Sequence, residues 1–225
     1  MESFNYKALL LDLDGTLINS EKAFFSCFRD VLKNRYGVLI TSEEYKKYEL
    51  EQNALLIEMK RREYDSLKNV TDSEVMQHVY GSYEEYFKRI IREKIAKNNF
   101  ELIKLLNEKG MRLSLVTTCR RRYIDLLLEL YDLYTTFEYI VAREDVPKEE
   151  LKPHPKAYLM ALNQMGLKSH EVLSLEDSKR GVDAAVAAGI PVIKVDSFTA
   201  IKYHDERCIE EKSANEVLQR ILKSK

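Results

Sequence analysis

Hydrophobic and polar positions along the chain fall into two textures that meet near residue 99. Residues 8–18 read Ala-Leu-Leu-Leu-Asp-Leu-Asp-Gly-Thr-Leu-Ile, a short Leu-rich run of the kind that forms a buried strand. From Asn19 to about Asn98 the spacing turns helical, rich in charge and tyrosine, with no strand pattern. Phe24, Phe25, Phe28, Val31, Leu32 and Tyr36 make one apolar stripe, ended by Gly37. Thr41 or Ser42 then opens a second helix, whose apolar side includes Tyr45, Tyr48, Leu55, Leu56 and Met59. A third, capped by Thr71 or Ser73, carries Val75, Val79, Tyr83, Phe87, Ile90 and Ile91. The tyrosines read as amphipathic packing residues rather than a ligand cage.

After Asn99 strands and helices alternate. Helices are predicted over 102–109, closed by Gly110, over 123–130, from Pro155 to near Gly166, and over 183–188, closed by Gly189. Strands are predicted at 112–116, 139–142, 172–175 and 191–195. Such alternation implies a parallel sheet covered by helices, to which residues 1–17 add a strand. The expected fold class is α/β, a Rossmann-like parallel sheet core with an inserted all-helical cap domain. The core spans 1–17 and 97–225 and the cap 18–96. Because the insertion leaves the core just after the first strand, it is placed to roof that strand's end. Joins near 17–20 and 97–99 would let such a cap open and close.

A chain of 225 residues has room for one large domain or a core with a smaller insert. A hydrophobic content of 45% excludes wholesale disorder. The 36 basic and 37 acidic side chains nearly cancel, leaving no broad basic field for nucleic acid. Only the local clusters Lys60-Arg61-Arg62 and Arg120-Arg121-Arg122 stand out. Cys27, Cys119 and Cys208 lie far apart without a Cys-x-x-Cys pair, which argues against a zinc site or a disulfide framework. No apolar stretch approaches the ~20 residues of a membrane helix. Glu2 and the interruption at Asp12 argue against a secretory leader. A reduced, cytoplasmic protein is the expectation, with no membrane partner and an oligomeric state that no pattern specifies.

Candidate chemistry sits where predicted strands end. Asp12 and Asp14 are two apart, so in an extended segment both face one side, and Gly15 then permits a sharp turn. Open α/β sheets bind ligands just beyond such strand ends. Two acids there repel unless a cation, a proton or a lysine offsets them; the alternative is a solvated acidic turn. Thr117 ends the 112–116 strand, where a hydroxyl and free backbone N–H groups suit a phosphate oxygen, or simply make a turn or helix cap. Lys152 lies in Leu151-Lys152-Pro153-His154-Pro155, whose prolines fix the backbone around it and start the next helix. Outside that setting it would be a solvated charge, as Lys148 is expected to be, and His154 reads as a loop residue. Glu176 and Asp177 close the 172–175 strand and are followed by Ser178 and Gly181.

In this order the four motifs resemble those of the haloacid dehalogenase superfamily: Asp-x-Asp-Gly-Thr at 12–16, Thr117, Lys-Pro-x-Pro at 152–155 and Glu-Asp-Ser at 176–178 with Gly181. The last is similar to the branch of β-phosphoglucomutase and phosphoglycolate phosphatase, in which a helical cap follows the first motif. The resemblance runs from residue 6 to about 196; Thr118, where the family often has Asn, departs from it. It implies a magnesium-dependent phosphatase acting on a small phosphorylated metabolite through an aspartyl-phosphate. Asp12 would be the nucleophile and Asp14 the acid and base. Thr117 and Thr118 would hold the phosphate, and Lys152 would neutralise nucleophile and phosphoryl group alike. Mg2+ would bind Asp12, the backbone carbonyl of Asp14 and Asp177, with Glu176 behind, through water or in the outer shell. Dehalogenases and phosphonate hydrolases of the family lack the second Asp, so Asp14 points to a phosphate ester. A phosphomutase of the β-phosphoglucomutase type is the alternative, although 24–28 does not match that enzyme's His-x-x-x-Trp pattern. A catalytically silent binding protein is a further one, against which the retention of every acid counts. The Arg120–Arg122 run begins a helix, where cations are unfavourable; one of them meets a leaving group or a cap carboxylate, or the run is a solvated turn.

Overall fold

The computed structural model describes residues 5–47, 53–198 and 204–224. Its strands are β1 (Ala8–Leu11), β2 (Arg112–Val116), β3 (Tyr139–Val141), β4 (Val172–Glu176), β5 (Val192–Val195) and β6 (Ile209–Glu211). They form one sheet in the order β3-β2-β1-β4-β5-β6, parallel at every pairing. Every residue of β1 is buried, as a central strand covered on both faces requires. That is why its sequence is a continuous apolar run rather than an alternating one.

Register decides what the strand ends present. Leu11 pairs with Leu115 on one side and Leu175 on the other. Asp12, one residue on, is therefore level with the last residues of β2 and β4, and its N–H donates to the Leu175 carbonyl at 3.1 Å.

Helices α5 (Lys94–Glu108), α6 (Arg121–Tyr131), α7 (Lys156–Met165), α8 (Lys179–Ala187) and α9 (Ala214–Lys223) belong to the same unit, formed by residues 1–19 and 91–225. Ala8 and Leu10 pack in one cluster with Tyr158, Ala161 and Met165 of α7 and with Val182 and Ala185 of α8. Leu9 and Leu11 point to the opposite face. The predicted helix at 102 begins earlier, because the buried face of α5 continues back through Phe100 and Asn99 to Ala96. Asn99 breaks the apolar pattern, yet its side-chain amide is satisfied by the Leu17 carbonyl at 2.9 Å. A domain boundary at 96/97 would cut this continuous helix; the units divide at 19/20 and 90/91 instead. Neither β6 nor α9 was predicted. β6 is Ile-Glu-Glu with two exposed residues and carries no apolar signal. α9 has the stripe Val217, Leu218 and Ile221 behind the cap Ser213.

Residues 20–90 form the second unit. Its described elements are α1 (Ser20–Tyr36), α2 (Ser42–Lys47), α3 (Asn53–Glu63) and α4 (Asp72–Ile90), with one short 3-10 turn at Asp65–Leu67. α1 packs on α4, burying Phe28, Leu32, Val79 and Phe87. The Cys27 thiol donates to the Val79 carbonyl at 3.3 Å. Thr41 with Glu44, and Thr71 with Glu74, make reciprocal capping boxes that fix two helix starts. The described parts of the predicted second helix are α2 and α3, and Tyr48 lies outside the described residues. Leu55 is half exposed whereas Leu56 and Ile57 are fully buried. Four consecutive apolar residues, 54–57, cannot reveal which of them faces inward. The basic run at 60–62 is largely neutralised in place, Lys60 by Glu44 and Glu63, and Arg61 by Glu58 and Asp72. Among the described residues no helix is long and apolar enough to cross a membrane.

Leu10 is fully buried at the centre of β1. Leu10→Ala is expected to lower the unfolding free energy by about 2–5 kcal/mol, measured as a loss in the urea midpoint at constant slope.

Candidate active site

Three parallel strand ends, held level by the register, bring the candidate residues together. β1 delivers Asp12, β2 delivers Thr117, and β4 delivers Glu176 and Asp177. Lys152 arrives from the loop ahead of α7, across a cis Lys152–Pro153 peptide. Its ammonium is buried and spends all three protons: on Asp12 Oδ1 at 2.7 Å, on Glu176 Oε1 at 2.6 Å and on the Val116 carbonyl at 2.8 Å. Burial alone pulls a lysine pKa down, but Asp12 and Glu176 outweigh it and hold Lys152 well above the usual value. Arg180 donates from Nε and a terminal nitrogen to the Lys152 carbonyl, at 3.0 and 2.6 Å, which anchors the loop from α8.

Asp12, Glu176 and Asp177 each present a carboxylate oxygen within 4.8 Å of the others. Two glycines make this crowding possible. A Cβ at Gly15, whose φ is +80°, would meet Asp177 Oδ2 at 2.0 Å, and one at Gly181 would meet Glu176 Oε2 at 1.9 Å. Thr16 donates to Asp177 Oδ1 at 3.2 Å. On the other side of Glu176, the Tyr158 hydroxyl donates to Oε1 and itself accepts from Ser174 at 3.0 Å.

The electrostatics are unbalanced as they stand. Burial raises the Asp12 carboxyl above its ordinary value, against the lowering pull of Lys152. Burial and then Asp12 push Glu176 up to about 8, with Lys152 opposing. Glu176 Oε2 is buried and has no hydrogen-bond partner. A cluster of carboxylates with one ammonium and an orphaned carboxylate oxygen is a donor set that fits a hard divalent cation. The three side chains of the cluster include Glu176, which the sequence had assigned to the outer shell. Asp14, whose expected contribution is its backbone carbonyl rather than a side-chain oxygen, lines the adjoining cleft.

That cleft measures about 270 Å³, and Thr118, Arg143, Ser178 and Arg180 line it together with Asp12, Asp14 and Lys152. Thr117 is buried, and its hydroxyl oxygen accepts from the Cys119 N–H at 3.0 Å, which leaves the O–H proton to donate. Cys119 hydrogen-bonds Asp14, and its thiol is raised by burial first and by Asp14 next, so it is no thiolate nucleophile. Lys148 is exposed, and His154 is an exposed loop residue whose Nδ1 accepts from the Lys156 N–H at 3.2 Å. Arg121, offered above as a contact for a leaving group, is engaged inside the core: its guanidinium pairs with Asp145, and its N–H donates to Glu144 at 2.9 Å. Arg122 stacks over the Tyr123 ring.

Tyr158, Arg180 and Cys119 escaped the sequence reading. Tyr158 sits on the buried stripe of α7 and looks like core there. Nothing in the spacing says that its hydroxyl meets a carboxylate arriving on β4.

The chain belongs to the haloacid dehalogenase-like hydrolase family, which matches residues 9–195. It is 29% identical to a phosphorylated carbohydrates phosphatase of Thermotoga maritima, over 82% of each chain. It is also 27% identical to the pyrophosphatase PpaX of Bacillus pumilus, over 84% of this chain and 82% of the relative. Among solved structures, a HAD family hydrolase of Deinococcus radiodurans with bound phosphate and sodium superposes with a TM-score of 0.74 at 20% identity. That match covers 98% of this chain and 96% of the other, and it shows the shared fold.

The Glu176 carboxyl, raised from 4.5 to about 8, binds more protons folded than unfolded between those values. Metal-free protein should therefore lose stability as pH rises through that window. In chelator-treated protein the melting temperature is expected to fall from pH 5 to pH 8. Glu176→Gln, which keeps an acceptor for Lys152 and Tyr158, should flatten that slope; Asp12 contributes a residual slope of the same sign.

Proposed function

We propose that this protein is a magnesium-dependent phosphatase that hydrolyses a small phosphate monoester through an aspartyl-phosphate on Asp12. The observation that carries the reading is the Lys152 ammonium held between Asp12 and Glu176 beside Asp177. It opposes the cost of charging a buried carboxylate at the end of a central strand, where a nucleophile is needed. The named activities of the two curated relatives support phosphoryl chemistry in preference to dehalogenation.

In this mechanism an Asp12 oxygen attacks phosphorus and the P–O bond to the leaving group breaks. Asp14 gives its proton to the departing oxygen, then takes one from the water that cleaves the acyl-phosphate. Lys152 offsets charge on Asp12 and on the transferring group, and the Thr117 O–H and Thr118 orient the phosphoryl oxygens. Asp12, Asp177 and the Asp14 carbonyl would hold Mg2+, with Glu176 as a further carboxylate of the same cluster. When bound, the cation supplies further neutralisation of the phosphoryl oxygens. Positioning and charge stabilisation carry most of the acceleration that phosphate-ester hydrolysis requires.

Phosphate release from a panel of phosphorylated metabolites should require Mg2+ and cease with a chelator. Asp12→Asn should lower turnover by roughly 10⁴-fold or more while the circular dichroism spectrum and cooperative melt persist. Retained turnover in that variant refutes the assignment. Formation of an isomeric hexose phosphate in place of free phosphate would move the protein to the mutase class.

A further inference from the structure

We propose that Arg143 is the leaving-group receptor of the core: its guanidinium binds a second anionic group, carboxylate or phosphate, on the ester cleaved at Asp12. This assignment rests on the phosphatase reading and adds a substrate class to it.

Arg143 opens the 3-10 turn Arg143–Asp145 that follows β3. The turn is pinned on several sides. The Arg143 N–H donates to the Cys119 carbonyl at 3.0 Å, tying it to the loop that carries Thr117 and Thr118. Asp145 Oδ2 accepts from the Ala142 N–H at 2.8 Å and from the Arg121 guanidinium. Glu144 Oε2 accepts from the Arg121 N–H at 2.9 Å. Both acids beside Arg143 are thus occupied by Arg121, which explains why a cation stands at the start of α6 against the helix dipole.

Arg143 itself makes no side-chain hydrogen bond or ion pair among the described residues, and it lines the cleft with Asp14 and Thr118. The other cations of the cleft are engaged by the protein: Lys152 by Asp12 and Glu176, Arg180 by the Lys152 carbonyl. A guanidinium on a braced turn, exposed and facing a cleft, matches the planar fork that binds carboxylate or phosphate with two parallel hydrogen bonds. It lines the same cleft as Asp14, the acid assigned to the departing oxygen, and so is available to the leaving group. The scissile phosphoryl is served by Lys152 and Thr117.

The test compares kcat/KM on glycerol 3-phosphate with 3-phosphoglycerate, which differs by a carboxylate, and with inorganic pyrophosphate, whose leaving group is a phosphate; p-nitrophenyl phosphate reports generic turnover. Wild-type protein should favour at least one anionic partner over glycerol 3-phosphate, and which one it favours tells carboxylate from phosphate. Arg143→Gln should cut that selectivity ratio about tenfold, chiefly through KM, and Arg143→Lys, read the same way, should retain part of it. Cleavage of p-nitrophenyl phosphate without preference for an anionic leaving group overturns the assignment alone. So does an unchanged ratio in a variant whose activity falls equally on all substrates. Wild-type protein that releases phosphate from none of them overturns the phosphatase reading together with it.

Discussion

One ammonium group ties three strands together. Lys152 reaches Asp12 beyond β1, the last carbonyl of β2 and Glu176 at the end of β4. These acceptors are hundreds of atoms apart along the chain, and only the parallel register brings them level. A buried ion pair of this kind adds little net stability, because desolvation consumes most of the Coulombic gain. What it secures is geometry. Removing the charge would leave Asp12 and Glu176 facing each other unscreened, each already raised by burial.

The layer around that ammonium is unusually crowded, and the crowding has a purpose. Gly15 and Gly181 let backbone lie against Asp177 and Glu176, closer than any Cβ permits. Tyr158 and Ser174 complete a buried chain of hydroxyls that fixes one Glu176 oxygen and leaves the other unpartnered. An oxygen desolvated without a partner costs on the order of 1–3 kcal/mol, a cost that a cation bound to the cluster would offset. The same logic reaches the cleft wall. Arg121 pairs its charge with Asp145 and caps Glu144 through its backbone N–H, and Arg143 is left with its charge facing the cleft.

Much of this was legible before any coordinates. A buried strand within 8–18, the strand and helix alternation after residue 99 and a helical block, placed at 18–96 where the unit spans 20–90, follow from periodicity, because each element buries one consistent set of side chains. Asp12, Asp14, Thr117, Glu176 and Asp177 were marked by the places where apolar runs stop, and Lys152 by its Lys-Pro-x-Pro setting. Harder positions were those where local pattern and burial disagree. Asn99 is polar yet buried, since a distant carbonyl satisfies it, and so the start of α5 was placed too late. Leu55 is apolar yet half exposed, because its neighbours share its hydrophobicity and only packing sets the phase. β6, Ile-Glu-Glu, has no apolar pattern, being held by its ladder to β5 and by ion pairs of Glu210 with Lys194 and Glu211 with Arg220.

By itself the amino-acid order determined most of the elements and the candidate groups at the strand ends, since both depend on neighbours a few positions apart. Partnership was decided by tertiary structure. Whether Glu176 joins the carboxylate cluster, whether Tyr158 is core or support, and which arginine keeps its charge unspent depend on groups that approach across strands. Those approaches are set by sheet register and backbone clearance, and neither is encoded within the span of any single motif.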